Sequence, residues 1–229
     1  MASRYAVYWA PPAAGALHRL GAHWLGRDPA TGATPAQPLL SPITPARFAD
    51  LTADARRYGF HATLKPPIRL VDGAGRDDLL AAVARAAAGF PAFEAPGLKV
   101  GRVGGFLALV PEGDMAPWRR LSDHFVRDLD PLRAAAGAAE LEKRRAAGLT
   151  PAQDANLTAW GYPYLFDEWR FHMTLTCRLT SPERERVEVG ALGHFAGVPG
   201  KPVAVTEVAV FEQADDGPFQ IISRHALNG

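Results

Sequence analysis

One cysteine in 229 residues, Cys177, leaves no partner for an internal disulfide and no framework for a zinc site. The seven histidines stand at 18, 23, 61, 124, 172, 194 and 225, without the close pairs that metal sites show. The formal net charge is only +1, which excludes a global field that would recruit nucleic acid or a membrane surface, so any anion must be bound locally. No apolar run approaches ~18 residues. The opening Met1-Ala2-Ser3-Arg4-Tyr5 lacks the apolar core of a signal peptide. These absences imply a cytoplasmic protein with no membrane partner. What is present is ordinary for a globular chain: 48% hydrophobic and 21% charged residues, in a length that suits one large domain or two small lobes around a shared core.

Two short stretches read almost alike, Tyr58-Gly59-Phe60-His61-Ala62-Thr63-Leu64 and Trp169-Arg170-Phe171-His172-Met173-Thr174-Leu175. Alternation along a strand puts His61, Thr63 and Lys65 on one face and Phe60, Ala62 and Leu64 on the other. In the second copy Arg170, His172, Thr174, Thr176 and Arg178 share a face, opposite Phe171, Met173, Leu175, Cys177 and Leu179. This is the pattern of half-buried strands with a core face and a polar face, and it makes Cys177 a core thiol. A lone His-x-Thr is most simply a hydrogen-bonded structural pair. Two copies with the same flanking Phe and Leu point instead to a duplication with two half-sites facing one another.

The surrounding pattern predicts a strand over 4–10, stopped by Pro11-Pro12, a short helix over 13–25, and a Pro- and Gly-rich loop over 26–46. That loop reads as a surface excursion or a flap over a site. Thr44-Pro45 opens a helix through Leu51. After the first motif Pro66-Pro67 ends regular pairing, a helix over 77–89 carries Leu79, Leu80 and Val83, and a hairpin over 98–110 turns at Gly104-Gly105.

Residues 116–129 form an amphipathic helix with Trp118, Leu121, Phe125 and Leu129 on one side, and 133–147 continue as a charged helix ending at Gly148. Another helix runs from Thr150-Pro151 to Trp160-Gly161. The aromatic run Trp160-Gly161-Tyr162-Pro163-Tyr164 walls a pocket or packs the entry to the second motif strand. Ser181 caps a further helix, and a hairpin over 203–226 closes the chain. The expected fold is α+β (mixed α/β), one bilobal, internally duplicated domain over 1–229 with halves near 1–115 and 116–229. Each half has an antiparallel-rich sheet with helices outside, and the motif strands pair in a central cleft.

The paired motifs resemble the two-histidine phosphoesterase superfamily, which includes LigT-like RNA 2',3'-cyclic phosphodiesterases. The strings Arg57-Tyr58-Gly59-Phe60-His61-Ala62-Thr63-Leu64-Lys65-Pro66-Pro67 and Trp160-Gly161-Tyr162-Pro163-Tyr164, with Phe171-His172-Met173-Thr174-Leu175-Thr176, are similar to a bacterial subgroup named for its association with phosphonate metabolism. The resemblance implies His61 and His172 as the catalytic pair and Thr63 and Thr174 as holders of phosphoryl oxygens, with no metal and no cofactor. LigT-like enzymes commonly carry a basic residue soon after the second motif. Here the nearest candidate on the His face is Arg178.

The chemistry supports that role set independently. Opening a phosphodiester needs one proton removed from the attacking oxygen and one given to the leaving oxygen, which two imidazoles with pKa near ~6.5 can do. Thr63 and Thr174 supply donors to the non-bridging oxygens, and Lys65, Arg170 or Arg178 adds positive charge as phosphate ligands. The expected partner is a small phosphorylated or cyclic-phosphate substrate, or an RNA end. The competing readings are a binding module for the same ligands, which would not need two imidazoles, and a metal-dependent hydrolase, for which the motif strands carry no carboxylates on the His face.

Overall fold

A computed structural model describes residues 3–146 and 148–228. The predicted end of the charged helix at residue 147, and Met1 and Ala2 of the opening segment, lie outside the described residues. The chain runs β1 (Arg4–Trp9), α1 (Ala16–Leu25), α2 (Pro45–Leu51), α3 (Ala53–Tyr58), β2 (Ala62–Ile68), α4 (Arg76–Ala88), β3 (Phe93–Ala95), β4 (Leu98–Val103) and β5 (Phe106–Pro111). It continues through α5 (Ala116–Asp128), α6 (Ala138–Arg145), α7 (Pro151–Trp160), β6 (Met173–Thr174), α8 (Ser181–His194), β7 (Val203–Val205), β8 (Glu207–Gln213) and β9 (Gln220–Ala226). The fold is α+β, and among the described residues no helix is long and apolar enough to cross a membrane.

One seven-stranded antiparallel sheet, in the order β4-β5-β6-β2-β1-β8-β9, carries both motifs on neighbouring central strands. The duplication is visible in the topology. Each motif strand is followed by a helix, a three-residue strand and a hairpin, and the two short strands β3 and β7 pair with each other, Phe93 against Val205. The hairpin after β2 lies beside β6, and the hairpin after β6 lies on the β2 side of the sheet, beyond β1. Each repeat thus completes the other's surroundings, and the half-sheets are fused edge to edge. The helices follow suit, with α4 packed against β8 and β9 and α8 against β4 and β5.

Strand β1 shows why the sheet is buried on both faces at its centre. Tyr5, Val7 and Trp9 enter the main core with Trp24, Trp118, Phe125 and Phe171, as the predicted stripe of α5 also does. Ala6, Tyr8 and Ala10 face the other way, into a smaller cluster with Ala209, Phe211 and Phe219. This second cluster is the floor on which His61 rests.

Several elements depart from the sequence expectation. Pro66 and Pro67 do not end the strand, because β2 continues to Ile68 through irregular pairing with β1, Val7 opposite Lys65 and Tyr5 opposite Ile68. On its other side β2 pairs with β6 only at Ala62, so beyond that point no ladder asks the prolines for an N–H. The second motif strand is regular over Met173 and Thr174 alone. Leu175, Cys177 and Leu179 instead donate their amides to the carbonyls of Leu107, Leu51 and Gly105. Strict alternation therefore stops, Thr176 is buried with its hydroxyl accepting from the Leu107 amide at 3.1 Å, and Cys177 is half-buried at the margin of the core. The cap of α8 is Thr180 rather than Ser181, the charged helix starts only at Ala138, and α3 and β3 had no counterpart in the sequence reading. The 26–46 loop is pinned at the surface, Asp28 to His18 at 3.1 Å and Gln37 Nε2 donating to the Trp24 carbonyl at 2.7 Å.

Candidate active site

The register of the two motif strands sets the site. Ala62 lies opposite Met173 in an antiparallel pair, so His61 stands across from Thr174, and Thr63 across from His172, on the same face. The two histidines are diagonal neighbours, with Cα atoms about 7–8 Å apart by ordinary sheet geometry. The opposite faces are core: Phe60, Ala62, Leu64, Phe171, Met173 and Leu175 are all buried. Indole N–H groups hold both strands from the flanks, Trp169 Nε1 donating to the Thr63 carbonyl at 3.0 Å and Trp24 Nε1 to the Leu175 carbonyl at 3.0 Å.

Both imidazoles are turned by the same device. His61 Nδ1 is 2.8 Å from the carbonyl oxygen of Gly59, and His172 Nδ1 is 2.9 Å from that of Arg170, in each case two residues earlier. A carbonyl only accepts, so Nδ1 bears the hydrogen and Nε2 is the lone-pair nitrogen of each neutral ring. His61 Nε2 also lies 3.3 Å from the Thr63 hydroxyl, which donates to it. Gly59 is needed for this turn. Its φ is +81°, and a Cβ there would meet the Pro29 ring at 2.6 Å.

His61 is stacked on Tyr8, ring centroids 3.8 Å apart at 21°, whereas His172 leans on Phe106 at 5.7 Å. Burial pushes the His61 pKa down to about 4, opposed by the Gly59 hydrogen bond and helped by the neighbouring His172. Burial lowers His172 as well, against the Arg170 carbonyl. Tyr8, buried beneath His61, is pushed well up, chiefly by burial.

A cavity of about 410 Å³ opens over this face, lined by His61, Thr63, Lys65 and Thr174 from the motif strands. Tyr8 and Tyr58 form its floor, and Glu140, Arg144, Trp160, Gly161 and Tyr162 from α6 and the end of α7 form another wall. The aromatic run after α7 thus walls a pocket, while no residue of the 26–46 loop lines it.

The predicted site residues are only partly gathered. His172 is half-buried beside the cavity and is not among its lining residues. Lys65 lines it but is almost wholly buried, its ammonium donating to the Val126 carbonyl at 2.9 Å and to Asp130 at 3.3 Å. Burial brings the Lys65 pKa down to about 8, against the pull of Asp130. Lys65 thereby ties β2 to the end of α5. Arg170 is exposed and donates to the carbonyls of Asp167 and Trp169 at 2.6 and 2.7 Å, and Arg178 is exposed beside Gly105. Neither reaches the cavity wall.

The cations that do line the cavity besides Lys65 are Arg4, Arg69, Arg133 and Arg144, none of them singled out by the sequence pattern. Arg144 lies in the charged helix expected over 133–147, and nothing in strand or helix periodicity marks the others. Among the described residues no group of three or more His, Cys, Asp or Glu is placed to hold a metal ion.

Residues 63–220 match the family described as "Protein of unknown function (DUF1045)". The chain is 37% identical over 232 residues to the ribose 1,5-bisphosphate phosphokinase PhnN of Janthinobacterium sp. (strain Marseille), a match covering 99% of this chain and 51% of that protein. It is 34% identical over 215 residues to the protein of the same name from Laribacter hongkongensis (strain HLHK9), covering 93% and 49%. The chain spans about half the length of the curated relatives it matches. Among solved structures it is similar to TT0787 of Thermus thermophilus, with a TM-score of 0.47 and 16% identity over 99% of this chain and 98% of that one. It is also similar to E. coli LigT complexed with 3'-AMP, with a TM-score of 0.44 and 15% identity over the whole of both chains.

Proposed function

The chain belongs to the DUF1045 family, and we propose that it is a metal-independent phosphoesterase that opens a phosphodiester or cyclic phosphate by acid–base catalysis with His61 and His172. The carrying observation is the register of β2 and β6, which sets two His-x-Thr units on one face with matching Nδ1 anchors that make Nε2 the lone-pair nitrogen of each ring. In the proposed direction of hydrolysis His61 is the base, since a pKa of about 4 keeps it neutral at neutral pH. It takes a proton from the attacking water or hydroxyl, the P–O bond to the new oxygen forms, and the bond to the leaving oxygen breaks. His172, protonated in the complex with the anionic ester, gives its proton to that leaving oxygen. The Thr174 hydroxyl donates to a non-bridging oxygen, where charge grows, and the Thr63 hydroxyl turns from His61 Nε2 to do the same when the substrate arrives, which frees the Nε2 lone pair.

The substrate we propose is a small phosphorylated metabolite or an RNA-end cyclic phosphate, acted on in the cytoplasm. Phosphonate metabolism is the setting suggested by the sequence resemblance. The kinase activity in the relatives' name is not carried over to this chain, which contains no G-x-x-x-x-G-K-S/T phosphate loop.

The test is a panel of cyclic nucleotides, ribose cyclic phosphates and phosphonate-pathway intermediates read by phosphorus NMR with and without EDTA. Turnover that EDTA leaves intact supports the proposal. Tight binding with no turnover across the panel would make the chain a phosphoryl-ligand binding protein, and activity lost to EDTA and restored by a divalent ion would make it a metal enzyme.

A further inference from the structure

The cavity holds more positive charge than one phosphodiester uses. Such an ester carries a single negative charge, and the two threonine hydroxyls and the protonated His172 already offer it donors. Arg4, Lys65, Arg69, Arg133 and Arg144 nevertheless line the same cavity, with Glu140 the one carboxylate among the lining residues. Asp130 offsets Lys65 at 3.3 Å and Arg133 at 2.8 Å from behind the wall, which still leaves the cations in excess. The size points the same way. A volume of about 410 Å³ falls in the range of pockets that take a whole small metabolite, and a phosphoryl group alone fills only a small part of it.

Arg144 is the cation whose setting is most specific. Its Nη2 donates to Glu140 at 3.1 Å and its guanidinium lies 5.2 Å over the Tyr162 ring, so its plane is fixed from two sides. Its Nε is buried with no acceptor among the described residues. Arg133 adds a second guanidinium on the same stretch of wall, since a Cβ on Gly161 would lie 3.0 Å from its Nη1. A guanidinium held flat on a cavity wall suits an oxyanion that arrives with the ligand.

We infer that the ligand of this cavity carries a second, non-reacting phosphoryl group, held by Arg144 with Arg133, while the reacting one sits on Thr63 and Thr174. The inference rests on the phosphoester reading for which group reacts, and its test needs no turnover. Calorimetry would compare ribose 1,5-bisphosphate with ribose 5-phosphate on the wild type, Arg144→Ala and Arg133→Gln. The bisphosphate should bind the wild type at least about tenfold more tightly, the worth of one charge-assisted contact to a phosphate. Arg144→Ala should bring the two ligands to similar affinity, and because no residue of α6 belongs to the core the variant should fold normally. Arg133→Gln should narrow the gap. Equal affinities in the wild type, or a preference that survives both substitutions, would overturn the inference. A preference for the bisphosphate without turnover of any ester would overturn only the catalytic reading, and turnover without the preference only this one.

Discussion

His61 should give the folded state a pH dependence of defined sign. Its pKa is about 4 in the folded chain, with burial against Tyr8 the main cause, and about 6.5 in an unfolded one. Above pH ~6.5 the ring is neutral in both states and leaves stability unchanged. As pH falls from about 6.5 toward 4, the unfolded chain takes up the proton and the folded chain does not, so stability is lost through that window. At about 1.4 kcal/mol per pKa unit the full gap corresponds to roughly 3 kcal/mol, and since part of the ring faces the open cavity, about 2 kcal/mol is the expected loss. The perturbation is His61→Gln, which removes the titration. Urea unfolding of both proteins at pH 7 and pH 4.5 isolates the effect, because the other groups whose protonation differs between the two states there, such as His194 and His225, are common to both. The stability difference between wild type and variant should shift by about 2 kcal/mol in the variant's favour on acidification. A difference that stays constant with pH, or an NMR titration of His61 with its midpoint at 6.5 or above, would refute the reasoning.

Gly59→Ala forces a positive φ and a clash with Pro29, so it should cost about 1–3 kcal/mol in urea unfolding and loosen the Nδ1 anchor of His61, seen as a changed ring-nitrogen NMR signal. Lys65→Met leaves the Val126 carbonyl without its donor while Asp130 keeps Arg133. It should cost about 1–3 kcal/mol in stability, with less effect on turnover per folded molecule than loss of either histidine. Thr63→Ala and Thr174→Ala should each lower kcat by up to about 10²- to 10³-fold, the range for removing one oxyanion donor, and unchanged rates in both would remove the threonines from the mechanism.

Much of the fold was legible because burial follows period. The apolar face of each motif, the stripe of α5 and the hairpin at Gly104-Gly105 are local patterns, and all are found. The pairing of the motif strands followed from duplication, which periodicity alone does not reveal. The exchange of hairpins between the repeats did not follow, since it depends on β3 pairing with β7 from the other half of the chain, Ala95 with Val203 and Phe93 with Val205. Alternation also misled where tertiary contacts replace the ladder: Thr176 and Lys65 sit on the predicted polar face yet are buried, each satisfied by groups from elsewhere in the chain. The cavity's arginines were invisible for the same reason. Arg4, Arg133 and Arg144 come from separate segments, and only the folded chain makes them neighbours of one space.

The central claim is that His61 and His172 act on one phosphorus, and a double-mutant cycle on an active ester measures it directly. His61→Ala and His172→Ala should each remove most of kcat, and the double variant should lose far less than the two losses combined, because acid and base serve the same transition state. A fully active His172→Ala enzyme, or losses that simply add, would contradict the account.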